Sequence, residues 1–363
     1  MKLLKRLPLI NPNIVSVSLS FAGQDTVPGS RHFLEHLMCN SNKILDRILL
    51  REGLHRCGNK NGAGAATSES DIRFDFTCLN ECADEMVYLV SSMLGENRFL
   101  GEEIEKEREI ILQEYSQNYL SAPTQLNRSL EELFGLKLCP LGTPETISAM
   151  TADHLRQAYA EIFTYENAEL FYHSQAPIED RLLQHLAKGT PRILPTFTPS
   201  GAYKTKNPLL GYSLVMLVFD VKDSLNSRFL AAYLNSLQSP LLMHLRENLR
   251  LCYAAQAMPQ LGTTIPYFAV LTVTDKDPEM VLAEMRKSLV VDDPKLYNPE
   301  KLSTKMDIEL MKTSISRRMG YEKSARDLAI SFDEVTKVPS WEELRDFAKT
   351  ALTKEIATVI IEK

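Results

Sequence analysis

Two segments in the first half of the chain alternate apolar and polar residues with a period of two. The apolar positions are Val15, Val17, Leu19 and Phe21 in the first segment, and Ile72, Phe74, Phe76 and Cys78 in the second. A period of two places successive side chains on opposite faces of a β-strand. Each segment therefore predicts a strand with one apolar face, and the two together predict a sheet that is covered on one side.

Helical patterns follow both of these strands. They predict a helix over 30–50 that ends at Gly53, a second helix over 80–94, and a third that begins near Gly101. The first half of the chain thus combines strands and helices in one folding unit.

The second half of the chain repeats this order of elements. Strands are predicted at 212–219, near Cys252 and at 267–274, and helices are predicted to begin near Asn226, Pro278 and Pro299. At an offset of 189 residues, Leu155, Arg156, Thr164, Glu166 and Ala168 coincide without gaps with Leu344, Arg345, Thr353, Glu355 and Ala357. A unit of this length is far too long for a solenoid repeat. The self-similarity predicts two related α+β domains.

A proline-rich segment separates the two predicted domains. It contains Pro191, Pro195, Pro199 and Pro208 and has few periodic apolar positions, which is typical of a stiff, extended linker. We therefore expect an N-terminal domain over 1–190, a linker over 191–208 and a C-terminal domain over 209–363.

Composition and charge narrow the classes of function. Of the 363 residues, 44% are hydrophobic and 24% are charged, as in soluble globular proteins. The formal net charge of -6 gives no general attraction to nucleic acid or to anionic membranes, so neither is an expected partner. Six scattered cysteines predict reduced thiols. No run of about 20 apolar residues is present and Pro8 interrupts the basic start, so we expect no membrane span, no signal peptide and a cytoplasmic location.

The first candidate site is the H-x-x-E-H arrangement of His32, Glu35 and His36 inside a predicted helix. At about 100° per residue, Glu35 and His36 lie at about -60° and about +40° from His32, so all three share one helix face. Two imidazoles on one face can bind a single zinc ion and leave the glutamate as a general base. The alternative is an amphipathic helix that carries two histidines by chance.

A third ligand has to come from elsewhere, and an acidic helix offers candidates. Glu107 and Glu114 are seven residues apart, about two turns, so they share a face. One of them could bind the metal while the other orients a ligand. For the remaining glutamates a solvated acidic helix is the better interpretation: Glu102, Glu103, Glu105 and Glu109.

Together these residues closely resemble peptidase family M16, which includes pitrilysin, insulin-degrading enzyme and mitochondrial processing peptidase. In that family the H-x-x-E-H helix, an inverzincin motif, is followed later in the chain by E-R-x-x-x-x-x-E, which here spans 107–114. The resemblance implies zinc ligation by His32, His36 and Glu114. It also implies that Glu35 is the general base and that Glu107 supports the ligands from outside.

A third similarity lies in the second predicted domain. Residues 242–254, LMHLRENLRLCYA, resemble the family segment whose arginine and tyrosine help to hold the substrate, and these align with Arg246 and Tyr253. The alternative is that Arg246 pairs with a surface carboxylate and Tyr253 belongs to the core. One departure is that Gly64, in 57–67, stands where the family has an asparagine. Peptide binding by backbone pairing with an edge strand does not need that side chain.

The resemblance implies a fold and an activity. The fold is α+β, with two homologous domains that each have a mainly antiparallel sheet with helices on one face, as in half of the M16 clam-shell. The implied activity is zinc-dependent endopeptidase hydrolysis of peptides or unfolded segments, inside a chamber that four such domains form by dimerisation. A homodimer is possible, and so is a heterodimer with a second M16-like chain. The alternative function is a non-catalytic or partner-dependent peptide-binding subunit.

Overall fold

The computed structural model describes residues 3–40, 64–68, 70–95, 99–134, 140–191, 200–221, 225–260, 267–327 and 329–363. The chain divides into two compact units. Unit 1 comprises Met1–Tyr119, Lys137–Pro195 and Lys312–Met319, and unit 2 comprises Leu120–Leu136, Thr196–Met311 and Gly320–Lys363.

Each unit is built around a five-stranded sheet. In unit 1 the strands are β1 (Leu3–Arg6), β2 (Ile14–Ala22), β3 (Gly64–Thr67), β4 (Asp71–Leu79) and β5 (Ala168–His173). In unit 2 they are β6 (Gly201–Lys206), β7 (Ser213–Phe219), β8 (Ala255–Gln260), β9 (Tyr267–Thr274) and β10 (Glu355–Glu362). The spatial orders are β1-β5-β2-β4-β3 and β6-β10-β7-β9-β8, which is the same topology. The edge pairs β1 with β5 and β6 with β10 are parallel, and all other neighbouring strands in both sheets are antiparallel.

The described helices follow in chain order. They are α1 (Ser30–Asn40), α2 (Ala83–Met93), α3 (Gly101–Asn118), α4 (Ala122–Phe134), α5 (Pro144–Ser148), α6 (Ala152–Ile162), α7 (Glu179–Leu182), α8 (Asn226–Asn235), α9 (Pro240–Leu242), α10 (Pro278–Ser288), α11 (Pro294–Met311), α12 (Ile315–Asp327), α13 (Phe332–Val335) and α14 (Trp341–Ala351). A π-helical turn, Met243–Asn248, follows α9. No helix in the described part of the chain is both long enough and apolar enough to cross a membrane.

The core of unit 1 lies on the apolar face that the sequence predicts. Phe21 of β2 and Phe74 of β4 are fully buried, and Phe21 packs against Phe163 with ring centroids 4.8 Å apart. On the opposite face of β2, Ser16 lies beside Thr77 of β4, with 3.0 Å between their hydroxyl oxygens. The α-helices therefore have one apolar sheet face against which to pack.

The internal repeat is visible at matching places in the two units. Helices α6 and α14 have the same length and lie at the offset of 189 residues, and each precedes the last strand of its sheet. Each begins with a capping box, Thr151 with His154 and Ser340 with Glu343. The predicted α+β fold with two related, mainly antiparallel sheets is confirmed.

Several predicted boundaries differ from the structure. Helix α1 is described only to Asn40, and residues 41–50 of the predicted helix lie outside the described ranges. The strand expected near Cys252 begins at Ala255, and the helix expected near Pro299 begins at Pro294. Strand β6 lies inside the segment predicted as a linker. It is an edge strand, which needs only β10 as a partner, so an extended segment between prolines can supply it.

Candidate functional site

Helix α1 carries the H-x-x-E-H residues, and its first turn is fixed by Asp25. The Asp25 carboxylate accepts hydrogen bonds from the Arg31 amide at 2.8 Å and from the Ser30 hydroxyl at 3.0 Å. The same carboxylate lies 3.5 Å from the guanidinium of Arg31, which is fully buried. Because a buried arginine needs a charged partner, this pair determines where α1 begins.

His32 and His36 lie on one face of α1, as the spacing predicts. Their ring centroids are 4.7 Å apart and the ring planes meet at 79°. His32 is buried, and His36 is partly buried. Phe33 and Leu34, on another face of α1, are buried in the core of unit 1. They fix the orientation of the helix about its own axis.

Helix α3 brings Glu114 to the two imidazoles. Glu114 Oε2 lies 3.6 Å from His32 Nε2 and 3.4 Å from His36 Nε2. One potential ligand atom from each of the three residues lies within 4.8 Å of the other two. The apolar positions Ile104 and Ile111 hold α3 against the core and so fix this approach.

The second glutamate of the α3 motif, Glu107, lies behind His36. Its Oε2 is 3.2 Å from His36 Nδ1, and the side chain is almost completely buried. A carboxylate hydrogen-bonded to Nδ1 fixes the orientation of the imidazole ring, so that Nε2 points away from the carboxylate. Glu107 thus orients His36 towards Glu114.

The electrostatics of the two histidines differ sharply. Burial lowers the pKa of His36, but hydrogen bonds with Glu107 and Glu114 outweigh burial and raise it from 6.5 to about 9. For His32, burial and the neighbouring charge of His36 lower the pKa from 6.5 to about 4. The hydrogen bond with His36 lowers the pKa of Glu114. At neutral pH and without a metal, His32 is thus neutral, and His36 is positively charged and lies between the carboxylates of Glu107 and Glu114.

Glu35 lies beside this cluster and makes a different contact. Burial raises the pKa of its carboxyl group, although a hydrogen bond from Thr67 partly opposes this rise. The Thr67 hydroxyl of β3 donates to Glu35 Oε2 at 2.7 Å. Thr67 is not among the site residues predicted from the sequence. The inward-facing position of a threonine on a strand is a weak indication that could have identified it.

Arg108 is a second residue with a structural role that the sequence did not predict. Its guanidinium donates to the carbonyl oxygens of Ile147, Ser148 and Met150 at the end of α5, at 3.0 Å for Ser148 and 2.8 Å for Met150. It also lies 5.8 Å from the ring centroid of Phe33 on α1. Arg108 therefore ties α3 to both α1 and α5, next to Glu107.

The donor set suits a zinc ion. Two imidazole nitrogens and one carboxylate oxygen form a set that is known from catalytic zinc sites, and they leave a coordination position for water or substrate. The backing of His36 by a carboxylate is also typical of such sites. In the ranges that the structure describes, no other group of three potential ligands converges in this way.

The two site residues predicted in the second half lie in unit 2. Arg246 is in the π-helical turn, and its Nε donates to the exposed carboxylate of Glu247 at 2.7 Å, which is the pairing with a surface carboxylate that the alternative predicts. Tyr253 is 87% exposed, so the alternative that it belongs to the core is wrong. A tyrosine exposed to this extent is free to contact another molecule.

Gly64 begins β3, an edge strand of the unit 1 sheet. A Cβ atom at this position would lie 3.2 Å from the carbonyl oxygen of Asp75. An asparagine at this position would thus crowd β4 unless the strands shifted. Residues 57–63 of the compared segment lie outside the described ranges.

A segment in the first half of the chain is similar in sequence to a known peptidase family. Residues 20–133 match the family described as insulinase, peptidase family M16. A Mycobacterium leprae protein named as an uncharacterized zinc protease is 25% identical over 169 residues, 45% of this chain but only 38% of that protein's own length. A Rickettsia bellii protein, also named as an uncharacterized zinc protease, is 24% identical over 313 residues, covering 78% of this chain and 73% of that protein.

Solved structures extend the similarity of fold to the whole chain. A protease from Helicobacter pylori has a TM-score of 0.83 at 16% identity, covering 99% of this chain and 96% of that chain. A Pseudomonas fluorescens structure, described as a peptidase M16 inactive domain, has a TM-score of 0.73 at 14% identity and covers 98% and 94%. Residues 20–133 thus match peptidase family M16, and the fold of the chain is that of M16 peptidase-like domains.

Proposed function

We propose that the protein is a zinc-dependent endopeptidase. The observation that carries this proposal is the convergence of His32, His36 and Glu114 within 4.8 Å, with Glu35 beside them. His32, His36 and Glu114 would hold the ion, and Glu107 would orient His36. The two relatives named as zinc proteases are consistent with this proposal.

When bound, zinc supplies Lewis acidity, which lowers the pKa of a water molecule and polarises the scissile carbonyl group. Glu35 accepts a proton from the attacking water as the carbon–oxygen bond forms, and delivers it to the leaving amine as the carbon–nitrogen bond breaks. Burial raises the pKa of Glu35 in the metal-free protein, and a general base and acid works best when its pKa approaches the working pH.

The substrate class that we propose is peptides or unfolded protein segments. Strand β3 ends the unit 1 sheet and pairs only with β4 in the part of the chain that the structure describes, so an extended peptide could pair with its other edge. Arg246 and Tyr253 would anchor the peptide, the guanidinium and the phenol each donating a hydrogen bond to a carbonyl oxygen. The exposure of Tyr253 supports such a contact.

We further propose that the working form is a dimer. Each chain supplies two units, whereas the chamber implied by the resemblance to family M16 needs four. A homodimer is the simpler assembly because one chain carries both the metal cluster and the Arg246 and Tyr253 pair. Light scattering during size-exclusion chromatography would test this, with twice the mass of one chain expected and a strict monomer contradicting it.

A second candidate function is a non-catalytic peptide-binding subunit. One observation favours it, namely that an M16 inactive domain has the same fold as this chain. The presence of the whole metal cluster together with Glu35 favours the enzyme.

The test of the proposed function combines metal analysis with peptide cleavage. Purified protein should bind one zinc ion per chain and cleave an unstructured peptide mixture, as followed by mass spectrometry. A chelator should abolish cleavage, and added zinc should restore it. Peptide binding without any cleavage by the zinc-loaded dimer would favour the subunit, and absence of stoichiometric zinc would contradict the assignment of the ligands.

A further inference from the structure

We propose that Thr67 is a positioning residue for Glu35: its hydroxyl group holds the carboxylate in place and ties it to strand β3. This inference rests on the proposed function, since it assigns the residue that orients the proposed general base. It concerns an interaction that the H-x-x-E-H and E-R-x-x-x-x-x-E motifs do not contain.

The carboxylate of Glu35 has one hydrogen bond within the described ranges. Thr67 Oγ1 donates to Oε2 at 2.7 Å, and no described residue donates to Oε1. A glutamate side chain has three rotatable bonds, so a single strong hydrogen bond decides which way the carboxylate faces. The donor leaves Oε1 available to accept a proton from a water molecule.

Thr67 can perform this role because its own position is well fixed. It pairs with Ile72 of β4, and Ala65, two residues earlier on the same face of β3, packs against the core of unit 1. Threonine is branched at Cβ, which restricts its first side-chain torsion. The hydroxyl is therefore a rigid donor that belongs to the sheet, whereas Glu35 belongs to α1.

Through this hydrogen bond, the position of strand β3 determines the position of the Glu35 carboxylate. Helix α1 alone would leave the Glu35 carboxylate partly buried without a donor, and it would turn towards water. With Thr67 present, the carboxylate stays beside the histidine pair. A shift of β3 would displace the carboxylate as well.

Kinetics of three variants test the proposal. Thr67→Val keeps the shape and branching but removes the donor, so kcat should fall about ten- to a hundredfold, the rate equivalent of one hydrogen bond to a charged group. KM should change less than about twofold and zinc content should not change, because the hydroxyl donates to Glu35 and is neither a proposed zinc ligand nor a proposed peptide anchor. Thr67→Ser keeps the donor and should retain most of the activity. Thr77→Val, on the neighbouring strand β4, removes a hydroxyl that contacts Ser16 instead of Glu35, so it is the matched control and should keep the wild-type kcat.

A wild-type kcat in Thr67→Val would overturn the proposal, as would a loss that Thr67→Ser does not recover. A lower zinc content or melting temperature in Thr67→Val that accounts for the lost activity would also overturn it, because the role would then be structural.

Crystal structures of the wild type and of Thr67→Val provide a second test, which does not require the protein to cleave peptides. The Glu35 carboxylate should be displaced or spread over several rotamers in Thr67→Val, and an unmoved carboxylate would overturn the proposal. If the wild type cleaves no peptide, the proposed function fails, and this comparison alone decides whether Thr67 positions Glu35.

Discussion

The imidazole of His36 is held from behind by the buried carboxylate of Glu107, with 3.2 Å between Nδ1 and Oε2. This contact orients the ring so that Nε2 lies 3.4 Å from Glu114 Oε2. The two glutamates of α3 thus contact the two nitrogens of one histidine. Their separation by about two helical turns allows this.

Replacing Glu107 should weaken the metal site without removing a ligand. We expect Glu107→Gln to lower zinc affinity about 10- to 100-fold once the affinity is corrected for the proton that His36 loses, because the neutral amide no longer raises the basicity of His36. Competition with a chromophoric chelator measures this affinity. The matched control is Glu109→Gln on the exposed side of α3, which should bind zinc as wild type does. Equal affinities in the two variants would contradict the role of Glu107.

Zinc binding should depend on pH in a defined direction. Because the pKa of His36 is raised to about 9, this histidine is protonated in the metal-free protein at neutral pH. Zinc must displace that proton, whereas His32 is already neutral above about pH 4. Apparent zinc affinity should therefore rise about tenfold per pH unit between pH 6 and pH 8, with one proton released per ion.

Calorimetry in buffers of different ionisation enthalpy counts these released protons. The zinc affinity of Glu107→Gln should show a shallower dependence on pH, because removing that carboxylate lowers the pKa of His36. If the wild type released no proton at pH 7, His36 would be neutral there and the electrostatic account would be wrong.

Arg108 should matter for stability rather than for chemistry. Arg108→Ala removes the donors to three carbonyl oxygens at the end of α5 and the contact with the Phe33 ring. We expect the free energy of unfolding to fall by about 2–3 kcal/mol, since hydrogen bonds from a charged group are among the stronger ones. Denaturation in urea measures the loss.

The ion pair of Arg108 with Glu105 should contribute nothing measurable to this loss. Glu105 is exposed, and Glu105→Gln should leave the unfolding curve unchanged. Arg108→Lys keeps the charge but lacks the planar guanidinium that contacts several carbonyl oxygens at once. Its free energy of unfolding should therefore lie between those of Arg108→Ala and wild type. Wild-type stability in Arg108→Ala would contradict the assigned role.

Tyr253→Phe should impair hydrolysis without affecting folding. The side chain is 87% exposed, so loss of its hydroxyl should leave the melting temperature and zinc content unchanged. We expect kcat/KM for peptides to fall about tenfold, the effect of one lost hydrogen bond to the substrate. Tyr88→Phe, another exposed tyrosine, is the control and should retain full activity. Full activity in Tyr253→Phe would remove it from the proposed site.

Much of the fold was predictable because its determinants are local. The alternation around Val17 and Phe74 predicts β2 and β4, and the identities at the offset of 189 residues predict the repeat of α6 and β5. Strand β6 was not predictable in this way. It is short and exposed, with polar residues on both faces, and only its pairing with β10 makes it a strand.

The candidate site was predictable where one helix carries the spacing. The shared face of His32 and His36 follows from helical geometry, as does the shared face of Glu107 and Glu114. The contacts of Thr67 with Glu35 and of Arg108 with α5 join elements that are distant in sequence. No local pattern encodes such contacts, because they depend on how the helices and the sheet pack.

The most direct test of the central claim compares Glu35→Gln with wild type at equal zinc content. Glutamine has nearly the same shape as glutamate but cannot accept the proton from water, so the metal cluster should persist while hydrolysis stops. We expect one zinc ion per chain in both proteins and a fall in kcat of at least about 100-fold in the variant. Undiminished, chelator-sensitive cleavage by zinc-loaded Glu35→Gln would contradict the account.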